Sequence, residues 1–294
     1  MNYSFTELIQ SRFQSSLVPS LILNAGTRKE SYLIRLLTGT VSIANNYTSE
    51  IFIQKTNYSK LGKEVKKIIS TKPIREALTH PLQLSDLDFY ISTSEHSNDT
   101  YYELLIDEVC SYFFATEKEN HTTSFLHLYR IIEYISYSFP LIYSSYSRDY
   151  FGTFNRLKSY FETAKSELSF FEKFQEKIID SSLLESELEI DFTTVDPILA
   201  SKYYTLLKNI LDPSNLKTDV PNTKISFEYK FILKLVITLR NRYFHFAIGG
   251  QRNIRSNEII QSDLFFKLVN DEILNWITII YFEILNHSVS QRKI

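Results

Sequence analysis

A mainly α-helical fold is what this sequence predicts, a helical bundle preceded by an α-rich or α+β lobe, and three observations lead there. Six glycines and seven prolines in 294 residues leave room for few turns, so the elements are long. From residue 99 onward, apolar side chains recur at intervals of three and four, the spacing of one helical face. The stretch Ser92–Asp99 has no apolar residue and ends in Asn98 and Asp99, good helix N-caps, which divides the chain into 1–95 and 96–294.

In the first part, Val41-Ser42-Ile43 and Ile51-Phe52-Ile53 read as short strands, Ser31–Leu37 and Lys60–Ser70 as helices, and Pro73 and Pro81 as punctuation. Tyr101–Thr116 and Thr123–Ser138 then form a helical hairpin whose second arm Pro140 stops or kinks. Phe151–Phe174 is a third helix. An acidic connection (Glu185, Glu187, Glu189, Asp191, Asp196) follows, and Pro197 opens a short helix to Leu211. Residues 212–222 read as a loop, Ser226–Ala247 as a strong helix ended by Gly249-Gly250, and the last helix runs from about Asp263 to Leu285 around Trp276.

Composition excludes several classes of function. The glycines stand at 26, 39, 62, 152, 249 and 250, so neither G-x-G-x-x-G nor G-x-x-x-x-G-K-[ST] can be composed and no phosphate cradle of those kinds exists. One cysteine, Cys110, excludes a disulfide framework and a Cys-rich zinc site, and points to a reducing compartment. Of six histidines none is paired at i, i+3 or i, i+4, so no metal and no cofactor is expected; His121, His127 and Cys110 read as structural. The best apolar run, Ile273–Leu285, is broken by Asn275, Thr278 and Glu283 and falls short of the ~20 residues of a membrane span. Leu17–Ala25 is too interrupted, by Pro19, Ser20 and Asn24, to serve as a secretory leader. The expectation is a cytoplasmic protein with no membrane partner.

The net charge of −2 conceals a separation. Between Lys224 and Arg255 seven basic residues face one acidic residue, a local +6 that leaves −8 for the remainder. Lys234, Arg242, Arg252 and Arg255 lie in this segment as candidate phosphate contacts, and Tyr243 as a ring for stacking on a base. Inside it is Arg240-Asn241-Arg242-Tyr243-Phe244-His245. At ~100° per residue, Asn241 and His245 stack on one helix face, where the amide can orient the imidazole. An imidazole can move a proton to or from a ribose 2′-hydroxyl or the leaving 5′-oxygen while a guanidinium neutralises the phosphate. Arg240 and His245 therefore suit metal-free RNA transesterification, although Arg240 lies too far round the axis for one copy to complete the site.

This Arg240–His245 string late in a long helix, with Ser124–Glu133 on a preceding one, resembles the HEPN superfamily. The resemblance implies a helical-bundle fold and a metal-independent endoribonuclease acting as a toxin or anti-phage effector. It further implies a homodimer whose composite site joins Arg240 and His245 of two copies, with Asn241 beside them, Glu133 facing the pair, and Arg130 and Tyr129 in support. An antitoxin or sensor protein is the implied partner besides RNA, with residues 1–95 free to sense or dock it. Small antitoxin-paired members carry a tyrosine two residues after the histidine; here that position is Ala247. The alternative reading is a non-catalytic module of the same fold that binds RNA or nucleotides or dimerises.

Overall fold

A period-2 pattern governs the start of the chain. In the computed structural model, which describes residues 1–8, 15–24, 26–65, 70–94, 98–145, 149–163, 167–244, 253–255 and 257–292, strand β1 (Tyr3–Glu7) pairs antiparallel with β2 (Val41–Asn45), and β2 with β3 (Ile51–Gln54). Val41 and Ile43 alternate onto the inner face and are fully buried. Between β1 and β2 lies helix α1 (Lys29–Leu37), which ends at Gly39. There φ is 71° and a Cβ would stand 2.5 Å from the Thr56 carbonyl oxygen, so glycine alone makes this exit.

Arg35 of α1 is fully buried. Its Nη1 and Nη2 donate to the Glu7 carboxylate at 3.0 and 2.7 Å, Nη1 also to the Leu21 carbonyl at 2.7 Å, and Nε to Thr40 Oγ1 at 2.8 Å. A guanidinium survives out of water because its forked donors are matched in this way.

The helix expected over Lys60–Ser70 is not formed across its described part. Gly62 takes a left-handed φ of 70°, and the chain turns into β5 (Glu64–Val65), which pairs with β4 (Thr56–Asn57). Short helices α2 (Lys72–Glu76) and α3 (Leu84–Thr93) follow. The expected hairpin is present as α4 (Asp99–Glu117) and α5 (His121–Ser145), with Pro140 inside α5, not at its end. In the region read as one helix from Phe151, the described residues form α6 (Tyr150–Thr163) and α7 (Glu167–Ile178), with 164–166 outside the description, followed by α8 (Ser181–Leu184).

A three-stranded antiparallel sheet corrects the next part of the reading. The acidic connection contains β6 (Glu187–Asp191); after α9 (Pro197–Ile210), the expected loop contains β7 (Leu216–Val220), and the expected start of the strong helix is β8 (Lys224–Glu228). The strand order is β6-β8-β7. In β6 the acids face water while Leu188 and Ile190 are buried, so its acidity is one face of an alternating strand. Only after a 3₁₀ turn at Tyr229–Phe231 does helix α10 (Ile232–Leu239) begin.

The last helix, α11 (Ser262–Arg292), is longer than expected and lies at the centre. Every residue from Ile273 to Phe282 is buried, the mark of a helix wrapped on all sides. It packs along α5, and one apolar core runs from Tyr3 to Val289 on both sides of the 92–99 segment. Stacked rings seat the first sheet on α4: Tyr3 on Phe114 at 5.5 Å and Phe52 on Phe113 at 5.3 Å. No helix of the described residues is long and apolar enough to cross a membrane.

Half-buried Asp271 of α11 accepts hydrogen bonds from Tyr112 at 2.7 Å and Tyr58 at 3.2 Å and pairs with Lys63. Burial alone would raise its carboxyl, but Lys63 and the two hydroxyls outweigh that and hold it below the ordinary aspartate range. A depressed native pKa supplies stability that is present above the unfolded value of about 3.9 and is lost as pH falls toward the native one. The stability gap between the wild type and Asp271→Asn, measured by urea titration, is therefore expected to narrow below about pH 4. Arg35→Met is expected to cost about 3–5 kcal/mol by leaving Glu7 uncompensated, and Glu7→Gln in the same chain to recover part of that cost.

Candidate functional site

Helix α10 is an apolar anchor: Ile232, Leu233, Leu235, Val236 and Leu239 are all buried. Immediately after it the backbone widens into a π-helical turn, Arg240–Phe244. Such single turns occur mostly as bulges in helices and are frequent at functional sites. This turn is held from below by rings. Phe244 stacks on Phe125 of α5 at 5.7 Å, Phe125 meets Phe266 of α11 at 4.6 Å, and Tyr243 packs edge-on against Phe266 at 5.5 Å.

Seating Phe244 on Phe125 brings Arg240, four residues earlier, over Tyr129, four residues later on α5. The guanidinium carbon lies 4.9 Å from the centre of the Tyr129 ring, and Nη1 donates to Asn241 Oδ1 at 3.1 Å. Burial raises the Tyr129 hydroxyl above its ordinary range; the Arg240 charge opposes this, while the Glu133 acid one turn along α5 adds to the rise. Four of the expected site residues, Arg240, Asn241, Tyr129 and Glu133, thus form one cluster, with cation, ring and carboxylate supporting one another.

The others are placed differently. Arg130 turns away and pairs with Glu108 of α4 at 3.0 Å, and Glu108 also meets His127 Nδ1 at 2.7 Å. On α5, His127 is roughly 160° from Tyr129, so this second cluster occupies the opposite edge of the helix. Lys234 is exposed on α10, roughly 120° round the axis from Arg240, and lies within electrostatic reach of Glu172 and Asp212. Tyr243 is half-buried against the core, so its ring packs before it could stack on a base. Arg242 is half-exposed and Arg255 exposed, and the Ile254 N–H donates to the Arg242 carbonyl at 2.8 Å, returning the chain to the turn. His245 and Arg252 lie outside the described residues, as do Ala247 and Gly249-Gly250.

Two features of the sequence reading change here. Asn241 Oδ1 is engaged by Arg240, while His245, on which its expected stacking depends, is outside the described residues. The local positive charge is also smaller than the residue count: Lys224 pairs with Glu189 at 2.8 Å across the sheet, and Lys230 with Glu228, which Lys217 also meets at 2.7 Å. Lys234, Arg240, Arg242 and Arg255 carry what is left among the described residues. His127, taken as incidental, has a carboxylate partner; no spacing signal marked it, because Glu108 is on another helix. Among the described residues no three His, Cys, Asp or Glu side chains are grouped to hold a metal ion.

No family model, curated protein or solved structure matches this chain.

If the cluster is coupled as described, Arg240→Ala is expected to shift the Tyr129 titration upward and Glu133→Gln to shift it downward. Both are readable from the ring carbon chemical shifts of ¹³C-labelled tyrosine, and unchanged titration in both variants would disprove the coupling.

Proposed function

We propose that the protein is a metal-independent endoribonuclease of HEPN type that cleaves RNA by attack of the ribose 2′-hydroxyl and acts as a toxin or anti-phage effector. The observation that carries this reading is the Arg240 guanidinium, held over Tyr129 at a π turn closing an anchored apolar helix. A guanidinium fixed in direction can meet a phosphate with its planar donors without reordering when charge develops. In this reading Arg240 binds the scissile phosphate, and His245, five residues on, moves the proton between the 2′-hydroxyl and the leaving oxygen. Asn241 holds the Arg240 fork, and Glu133 acts through Tyr129. A homodimer supplies the second Arg240 and His245, and an antitoxin or sensor docks on residues 1–95.

A non-catalytic RNA-binding module of the same fold is the second reading. It is favoured by one observation: Asn241 Oδ1 accepts from Arg240, so the amide is already partly engaged within the cluster.

Purified protein incubated with single-stranded RNA and a chelator separates the two. The nuclease reading expects products ending in 2′,3′-cyclic phosphate, a loss of roughly 10²–10⁴-fold in His245→Ala, and no useful rescue of Arg240→Ala by lysine, which lacks the planar fork. Salt-sensitive binding without cleavage supports the module reading and rejects the enzyme, and equal cleavage by His245→Ala rejects the assigned chemistry.

A further inference from the structure

Helix α5 is packed by α4, α7 and α11 and leaves one stripe in the open. Up to Leu141 its exposed residues are Leu126, Arg130, Glu133, Tyr137 and Leu141. At ~100° per residue they fall within about 80° of one another. Three are large apolar side chains, with Leu126 38%, Tyr137 47% and Leu141 62% exposed. A run of that kind on one helix face is the mark of a surface that something covers.

The order of the residues says what fits it. From Leu126 to Tyr137 the stripe reads apolar, cationic, anionic, apolar, at spacings of four, three and four, the spacing of a seam between two helices. That order is complementary to its own reverse. Let two α5 helices lie antiparallel about a two-fold axis passing between residues 131 and 132. Leu126 then comes level with Tyr137 of the second copy and Arg130 with Glu133 of the second copy, and symmetry repeats both pairings. Neighbouring registers are penalised. A slide of three residues one way sets Arg130 level with Arg130, and the other way Glu133 level with Glu133, so like charges meet in both.

The two charges are open to such a pairing. Although Arg130 and Glu133 stand at i, i+3, they do not pair with each other, because Arg130 Nη2 turns to Glu108 at 3.0 Å. That contact uses one edge of the guanidinium, and the Arg130 side chain stays 54% exposed with donors to spare.

We propose that the exposed stripe of α5 is the interface of a two-fold dimer of this chain, with Leu126 against Tyr137 and Arg130 against Glu133 of the second copy. Tyr129, with the Arg240 guanidinium over its ring, borders the stripe on one side. The two-fold axis keeps that side common to both copies, so the two Arg240 groups flank one groove, offset by about 7.5 Å along the helices. What the groove does rests on the function proposed above; the interface rests on the stripe alone.

Sedimentation velocity of the full chain without RNA tests the interface separately from any activity. The wild type is expected to be a dimer. Arg130→Glu and Glu133→Arg, each of which sets like charges level with one another, are each expected to weaken it tenfold or more, about 1.4 kcal/mol. The double variant carrying both changes restores opposite charges across the axis and is expected to regain the dimer. A second readout needs no loss of stability: with Leu126→Cys and Tyr137→Cys in one chain, the positions are about 16 Å apart along α5, too far to bridge internally, so a disulfide between them joins two copies. Cys110 is fully buried and does not compete. A wild type that stays monomeric at its highest soluble concentration, a dimer indifferent to both charge reversals, a double variant no better than either single one, or absence of the 126–137 cross-link on oxidation overturns the proposal.

Discussion

A helix wrapped on every side strands any polar group that finds no partner, and on α11 Asp271, Asn275 and Asn286 find theirs along the whole length of the chain, while Asn270 Oδ1, Trp276 Nε1 and the Tyr281 hydroxyl stay unpaired. Asp271 collects Tyr58, Lys63 and Tyr112. One turn on, Asn275 donates to the carbonyls of Tyr58 and Lys60 at 2.7 and 2.8 Å and accepts from the Tyr229 hydroxyl. Asn270 holds the His121 carbonyl at 2.8 Å, and Asn286 closes the Ala77–Thr79 turn. These bonds do two things at once: they remove the desolvation penalty of the helix's own amides, and they satisfy loop backbone groups that would otherwise be stranded against the core. Apolar packing would allow the surrounding segments to slide along α11. Directional bonds spread over about 22 Å of helix fix where each one sits.

The candidate site inherits its geometry from that arrangement. α5 runs along α11, and their rings Phe125 and Phe266 make the seat for Phe244. With Phe244 seated, Arg240 has one place to go, over Tyr129, and the Glu133 carboxylate beyond the phenol completes a line of groups whose charges support one another. Arg130 is the nearest residue in sequence that could have competed for Glu133, and it is drawn off by Glu108 on the neighbouring helix. The cationic surface is therefore narrower than the sequence count suggests: Lys217, Lys224 and Lys230 pair with Glu189 and Glu228, and Lys234 and the arginines at the turn remain.

At the π turn a cation is supported by a ring and presented at a half-exposed surface, while lysines elsewhere pair with acids. The near-neutral total of −2 is the sum of such local separations. The site rests on the central helix through Phe266.

Much of this was legible without coordinates, and what was not has a common cause. Local periodicity determined the hairpin of α4 and α5, the helices at 29–37 and 197–210, the strands at 41–45 and 51–54, and the mainly α character, because each is decided by neighbours three, four or two residues apart. The string Arg240–Phe244 could be singled out from its residue types. Undecided were features that depend on distant partners. Glu187–Asp191 has perfect alternation, yet its length and acidity read as a connection until Lys224–Glu228 pairs with it. Asn275 and Glu283 registered only as interruptions in an apolar run, while the bonds of Asn275 reach residues more than 200 positions away. The widening of the backbone at Arg240, the use of the Asn241 oxygen and the pairing of Arg130 with Glu108 belong to the tertiary structure alone. Each is settled by which side chain from another element arrives first, and that is a matter of packing around α11.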